Sequence, residues 1–219
     1  MITHLPGIRR TAAFTLVELL TVIAIIAVLA AVAVGLTSAA KNARINSRAK
    51  TELQELQTAI EAYKADRNAF PPDNRLPKGA GQKVDPVVNQ LYYELRGTEV
   101  VNGVFRCKGM SDTLDPDQIE RVFGRRGFLN ASQDPAEPAR TYLDPKASAV
   151  KRVTVKGVEV ELLVTPFDWP PGAADPAPVA GTRWNPWRYV STSPTNNTGG
   201  FDLWTEVYVG KDKRVFKNW

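Results

Sequence analysis

The chain has few of the residues on which most catalytic and metal sites depend. Among its 219 residues there is one cysteine, Cys107, and one histidine, His4. A lone cysteine forms no internal disulfide and no cysteine-based metal site. Because no histidine follows His4, the serine–histidine–aspartate and cysteine–histidine machineries and the usual zinc sites are excluded from the rest of the chain. The composition therefore argues against an enzyme.

The charge balance gives no sign of a nucleic-acid partner. The net charge is +5, and Arg9 and Arg10 lie near the N-terminus without an acid beside them. Without these two arginines the net charge would fall from +5 to +3, which is too mild to indicate nucleic-acid binding. With 43% hydrophobic and 23% charged residues, the chain has enough apolar side chains for a packed core.

A long apolar run is the main feature that the sequence does contain. No charged residue occurs among the 22 residues from Leu19 to Ala40. As a helix this run would be about 33 Å long, against about 30 Å for the hydrocarbon of a bilayer. Arg9 and Arg10 precede it, so the positive-inside rule places residues 1–13 in the cytoplasm. The pattern predicts that residues 14–40 form a transmembrane helix.

A secretory signal peptide and a plain membrane anchor are alternative interpretations of this run. The apolar core of a signal peptide is about 7 to 15 residues long, which is shorter than the run here. A twin-arginine export signal would have bulky apolar residues after Arg9-Arg10, where this chain has Thr-Ala-Ala. A plain anchor fits the length but gives no reason for Glu18, since a carboxylate at a helix centre costs about 2.5 to 3.5 kcal/mol and less near an end.

Glu18 lies within a specific motif. The motif consists of GIRRTAA followed by FTLVELLTVIAII. It resembles the leader and first helix of type IV pilins and type II secretion pseudopilins, in which a small residue, a phenylalanine and TLVE follow a short basic leader. The resemblance implies that a prepilin peptidase cuts between Ala13 and Phe14, removes the leader 1–13 and methylates the new amine of Phe14. The family usually has glycine where this chain has Ala13.

Cleavage at that position would place a positive charge near Glu18. The Phe14 amine lies four residues from Glu18, about 6 Å along a helix, and neither charge should stay unpaired in or near lipid. We hypothesise that Glu18 of an incoming subunit neutralises the Phe14 amine of its neighbour and so fixes the axial register. Pairing within one chain is the alternative, and a carboxylate near a helix N-terminus is also favourable by itself, by up to about 1 kcal/mol. Phe14 and Glu18 are thus the predicted assembly residues.

The helix is predicted to continue beyond the apolar run. Apolar residues recur there at intervals of three and four; they are Ile45, Ala49, Leu53, Leu56, Ile60 and Tyr63. This spacing predicts a single helix from Thr15 to Asp66, ended before Pro71-Pro72. Its amphipathic, periplasmic half, residues 41–68, would pack on a globular head formed by residues 69–219.

The middle of the head carries local signals for two short helices and two hairpins, and it is longer than the corresponding part of major pseudopilins. Each helix would begin with Asp-Pro and be closed by a glycine, over Asp85–Gly97 and Asp115–Gly124. The hairpins would turn at Asn102-Gly103 and Lys156-Gly157. Proline-rich segments between them are predicted surface loops.

The C-terminal segment contains Asn185-Pro186-Trp187, Tyr189 and then Phe201-Asp202-Leu203-Trp204. This order resembles the closing part of major pseudopilins. It implies two or three antiparallel strands with aromatic residues that cover the long helix. The predicted fold is α+β, a pilin-like fold in which a long N-terminal transmembrane and stalk helix packs on a small antiparallel-sheet head.

The resemblance suggests calcium as a cofactor to consider, because major pseudopilins bind calcium in the loop after the last strand. The carboxylates available here are Asp202, Glu206 and Asp212. Calcium requires six to eight oxygens, several of them charged. Basic residues crowd the same stretch; they are Lys211, Lys213, Arg214 and Lys217. We therefore expect ordinary turn carboxylates and no cofactor.

The resemblances imply a structural subunit of a type II secretion pseudopilus, a filament that is assembled from the bacterial inner membrane and helps to export folded proteins. The implied partners are copies of the same chain, other pseudopilins, the prepilin peptidase, and a secretion assembly platform with its ATPase. The implied topology is single-pass, with a cytoplasmic N-terminus and a periplasmic head.

A type IV pilin for adhesion, motility or DNA uptake is the alternative. Its head could bind a ligand through an aromatic surface of Trp169, Trp184, Trp187 and Trp204, although aromatic residues in strands more often belong to a core. An enzyme or receptor head on a pilin-like anchor is a third possibility, which the lack of histidine disfavours.

Overall fold

One long helix, α1, comprises the 52 residues Leu16–Arg67. The structure, a computed structural model, describes residues 14–74, 84–108, 110–210 and 212–219, and the side chains of residues 32–38 lie outside the description. The predicted helix from Thr15 to Asp66 is confirmed to within one residue at each end.

The end of α1 follows from its local sequence. Lys64 and Arg67 lie in the last turn, where the helix dipole favours cations. Asn68 then adopts a left-handed conformation with φ of 56°, which stops the helical hydrogen bonding. The proline pair at residues 71 and 72 excludes a continuation.

The chain divides into two compact units, with the division between Arg44 and Ile45. In the second unit α1 buries the predicted apolar face. Ala49, Ile60 and Tyr63 are fully buried, whereas Glu55 and Glu61 on the other face are exposed. The amphipathic pattern read from the sequence is thus confirmed for this part of the helix.

Within the described ranges the head adds short helices and strands. In chain order they are α2 (Leu91–Arg96), β1 (Thr98–Val101), β2 (Val104–Cys107), β3 (Thr113–Leu114), α3 (Pro116–Phe123), β4 (Ala131–Ser132), a 3₁₀ turn (Ala147–Ala149), β5 (Val150–Val155), β6 (Val158–Leu163), β7 (Arg188–Val190), β8 (Asp202–Val209) and β9 (Asp212–Lys217). The α+β fold class is confirmed.

The strands form three small sheets with the orders β3-β2-β1-β4, β5-β6 and β7-β8-β9. All pairs are antiparallel except β1 with β4, where Thr98 and Glu99 run parallel to Ala131 and Ser132. This two-residue pairing is the one departure from the predicted antiparallel head among the described strands.

Both predicted hairpins are confirmed. Asn102 and Gly103 join β1 to β2 with φ values of 52° and 82°. Lys156 and Gly157 join β5 to β6 with φ values of 49° and 77°. Two successive left-handed residues match the right-handed twist of the flanking strands, which is why glycine is found at the second position of each turn.

One predicted helix is confirmed and the other needs a correction. In α3 the Asp115 carboxylate accepts the Gln118 N–H and the Gln118 side chain accepts the Asp115 N–H, which is a capping box. The helix expected from Asp85 begins only at Leu91. Asp85 does accept backbone N–H groups, from Val87 and Val88, but these belong to a separate turn.

The main core of the head joins α1 to the C-terminal strands. Trp187, Tyr189 and Phe201 belong to one buried cluster with residues of α1, including Leu56 and Ile60. A smaller cluster packs Val207 and Phe216 against Ala49. The prediction that C-terminal aromatic residues cover the helix is thus confirmed.

Candidate functional site

Thr15 and Glu18 form a capping box at the start of α1. The Thr15 backbone N–H donates to Glu18 Oε2 at 2.9 Å, and the Glu18 N–H donates to Thr15 Oγ1 at 3.2 Å. The Thr15 hydroxyl also donates to Glu18 Oε2, at 2.8 Å. A capping box satisfies two N–H groups that have no partner inside the helix. Glu18 thus has a role within its own chain.

Thr15 was not among the residues predicted for this site. The signal was present, because threonine followed three residues later by glutamate before an apolar run is the pattern of a capping box. Ala13, the predicted cleavage position, lies outside the described residues. Phe14 and Glu18 are described, and their predicted pairing between subunits stays a prediction.

Apolar side chains are exposed along the first turns of α1. Leu16 has 78% of its surface exposed and Ile25 has 60%, and exposed valines, leucines and isoleucines continue to Leu29. An apolar surface of this extent marks contact with a membrane or with other protein chains.

Among the residues that the structure describes, no helix combines the length and the apolar character that crossing a membrane requires. The membrane span predicted over residues 14–40 stays a prediction.

A buried carboxylate ties α1 to the head. Glu94 of α2 is fully buried, and its oxygens accept the Tyr63 hydroxyl at 2.8 Å and the backbone N–H groups of Leu129 and Asn130 at 2.8 and 2.9 Å. Burial raises the pKa of Glu94, and these donors oppose that shift. Arg67, in the last turn of α1, donates to Asn130 Oδ1 at 2.7 Å. The network holds the end of α1 in a fixed position within the head.

Two further buried aspartates hold the loop between β7 and β8. Asp73 accepts the N–H groups of Ser191 and Thr192 at 2.9 and 2.7 Å. Asp202 accepts the N–H groups of residues 195, 196 and 197 at 2.9, 3.0 and 2.9 Å. The chain thus orders this loop with its own carboxylates and backbone amides.

The three carboxylates considered for calcium are not brought together. Asp202 is the first residue of β8, and its carboxylate accepts hydrogen bonds from loop amides. Asp212 pairs with Val209 at the other end of that strand, about 23 Å from Asp202. Glu206 lies between them and accepts from Lys213 Nζ at 3.3 Å. In the described ranges, no group of three or more histidine, cysteine, aspartate or glutamate residues could hold a metal ion. Calcium binding itself stays untested.

Replacing Asp202 by alanine is expected to lower the free energy of unfolding by about 3 kcal/mol, because three loop N–H groups would lose a charged acceptor. Asp212→Ala, at an exposed position, should change it by less than about 0.5 kcal/mol. Urea unfolding of the detergent-solubilised chain, followed by tryptophan fluorescence, measures both.

Calorimetric titration with calcium should show no heat of binding, and a clear binding isotherm would contradict the metal-free account of the loop.

The tryptophans considered for a ligand surface are divided between core and surface. Trp169 and Trp187 are buried, and Trp169 Nε1 donates to the Asp175 carbonyl oxygen at 3.1 Å. Trp184 and Trp204 are half-buried. The four side chains therefore do not form one exposed aromatic surface.

Cys107 is buried in the head core. Burial raises the pKa of its thiol to about 11, so little reactive thiolate exists at neutral pH.

The comparison with known proteins bears on the N-terminal segment. Residues 8–34 match the family model described as the prokaryotic N-terminal methylation motif. No curated protein and no solved structure matches the chain. The matched residues include Ala13, Phe14, Thr15 and Glu18, and they support prepilin peptidase cleavage and methylation. This N-terminal match, followed by a long helix and small sheets, supports a type IV pilin-like family, a class that includes pilins and pseudopilins.

Proposed function

We propose that the chain is a structural subunit of a type II secretion pseudopilus. A prepilin peptidase cuts between Ala13 and Phe14 and methylates Phe14, residues 14–40 hold the subunit in the bacterial inner membrane, and the head lies in the periplasm. An assembly platform with its ATPase then moves the subunit into a filament. The observation that carries the proposal is the methylation-motif match at residues 8–34.

The exposed apolar side chains of α1 support assembly through this part of the chain. Helix association in lipid gains no hydrophobic energy over lipid contact, so close packing of small residues must supply the stability. Small residues recur along the exposed part of the helix; they are Ala24, Ala27, Ala30 and Ala31. The role proposed for the chain is structural and not enzymatic.

The C-terminal resemblance to major pseudopilins favours secretion over a type IV pilus. The pilus interpretation, for adhesion, motility or DNA uptake, remains the second candidate because the methylation motif is common to both. Neighbouring genes separate them: genes for a secretion ATPase and a secretin support secretion, and competence nuclease genes support uptake.

The direct test is to express the full chain with the assembly genes of its own locus, and then to shear and sediment surface or periplasmic filaments. The proposal predicts that the sedimented filaments contain this chain, and that deleting the prepilin peptidase gene leaves only the uncut chain in the membrane fraction. Recovery of uncut chain and no filaments from the complete system would contradict the proposal.

A further inference from the structure

An open groove lies along the head-bound part of α1, between helix residues 48–62 and the segment 142–149. It consists of two adjoining cavities of about 550 and 450 Å³, which share Thr51, Glu55 and Leu143 among their lining residues. The helix residues that line it span about 21 Å. This is long enough for a segment of polypeptide and not only for a small molecule.

The groove combines an apolar floor with an unsatisfied carboxylate. Leu56, Leu163 and Trp187 contribute to the floor. Glu52 Oε1 accepts from Arg48 Nε at 3.2 Å, whereas Glu52 Oε2 is buried and has no hydrogen-bond donor among the described residues. Burial raises the pKa of Glu52, which shows that the site disfavours the bare charge. A cationic donor that entered the groove would remove this cost.

The last strand of the head carries the complementary chemistry. β9 is an edge strand, and Val215 and Trp219 expose 49% and 37% of their surfaces on or beside it. The cations Arg214 and Lys217 alternate with them and are exposed. Lys217 Nζ lies 5.0 Å from the centre of the Trp219 ring, so cation and apolar surface are presented together. An extended segment from 214 to 219 is about 17 Å long, which fits within the length of the groove.

We propose that the groove binds the β9 edge of a second copy of this chain, with Lys217 of the partner subunit donating to Glu52 Oε2. Groove and edge are different surfaces, so the contact is heterologous and leaves one free groove and one free edge at the ends of every oligomer. Contacts of this type generate open helical assemblies and not closed two-fold dimers. The inference rests on the proposed function, because a filament supplies the second copy.

Cross-linking between two cysteine variants of the full chain tests the contact without changing any charge. Thr51→Cys places a thiol in the groove, and Val215→Cys places one on the β9 edge. When the two variants are co-expressed with the assembly genes, a short bismaleimide should yield a dimer that contains one copy of each. The control pair Gln133→Cys and Val215→Cys, with residue 133 in an exposed loop and not among the residues that line the groove, should yield none. Buried Cys107 should not react in either pair.

Charge exchange tests the predicted ion pair. Glu52→Lys should lower the yield of sheared filaments by about tenfold or more, and adding Lys217→Glu in the same chain should restore most of it. Glu61→Lys, an equal change at an exposed helix position outside the groove, should leave the yield unchanged. Filaments from the Thr51→Cys and Val215→Cys pair that show no cross-link between residues 51 and 215, or a double variant no better than Glu52→Lys, would overturn the inference and leave the proposed function intact. Absence of wild-type filaments would instead overturn the proposed function.

Discussion

Replacing Glu18 by alanine is expected to leave membrane insertion intact and to lower the yield of sheared filaments by about 100-fold or more. Cleavage produces an ammonium group at Phe14, and an incoming subunit without Glu18 would leave that group unpaired beside apolar side chains. Removing one partner of a buried ion pair costs about 3 to 5 kcal/mol, which is enough for this loss. Immunoblots of membrane and sheared-filament fractions give the two quantities.

The Thr15–Glu18 capping box offers a competing explanation, because Glu18→Ala also removes a helix cap. Glu18→Gln separates the two roles. Glutamine keeps an oxygen that can accept the Thr15 N–H, so the cap survives, but it carries no charge. Our account predicts that Glu18→Gln is as defective in assembly as Glu18→Ala. Normal filaments from the glutamine variant would show that capping, and not charge pairing, is what assembly requires.

Replacing Glu94 by alanine is expected to lower the free energy of unfolding by about 3 to 5 kcal/mol, the largest loss of stability that we expect from one substitution in the head. The Tyr63 hydroxyl and the N–H groups of Leu129 and Asn130 would all lose their acceptor in a dry interior. Urea unfolding of the detergent-solubilised chain measures the loss. Glu99→Ala, which removes a half-exposed carboxylate paired with Arg106, should cost less than about 1 kcal/mol. Equal losses from the two variants would contradict the structural role of Glu94.

The pH dependence of stability gives a second readout of the same carboxylate. Burial raises the pKa of Glu94 in the folded chain above its ordinary value of 4.5. The part of the stability that depends on protonation of Glu94 is therefore fully present below pH 4.5 and is lost as the pH rises through the folded-state pKa, whereas the hydrogen bonds that the carboxylate accepts remain. Glu94→Gln, which does not titrate, should make the unfolding free energy less dependent on pH in that window. Tyr63 and Arg67 face the carboxylate and are both retained in this variant.

Local sequence patterns predicted most of the secondary structure. The two hairpins at Asn102-Gly103 and Lys156-Gly157 depend on residues that tolerate positive φ, and this preference is readable from the sequence alone. The predicted start of α2 at Asp85 was wrong, because Asp85 caps only a turn. Asn89, four residues on, donates to the carbonyl oxygen of Trp187, a contact across 98 residues that no local pattern contains.

In the candidate site, too, the sequence predicted the local features and missed the contacts between distant residues. The motif from Phe14 to Glu18 is contiguous, so its meaning did not depend on the fold. Glu94 was not singled out, because its partners lie 31 to 36 residues away and become neighbours only when the head packs. The groove at Glu52 likewise requires the segment 142–149 to lie against α1, which helical periodicity does not predict.

The most direct test of the central claim is the mass of the N-terminal peptide of the chain purified from its native membrane. The account predicts a peptide that begins at Phe14 and carries one additional methyl group on its amine. The same peptide should begin at residue 1 when the prepilin peptidase gene is deleted. A chain from wild-type cells that still begins at Met1, or that is trimmed only at another position, would contradict the account.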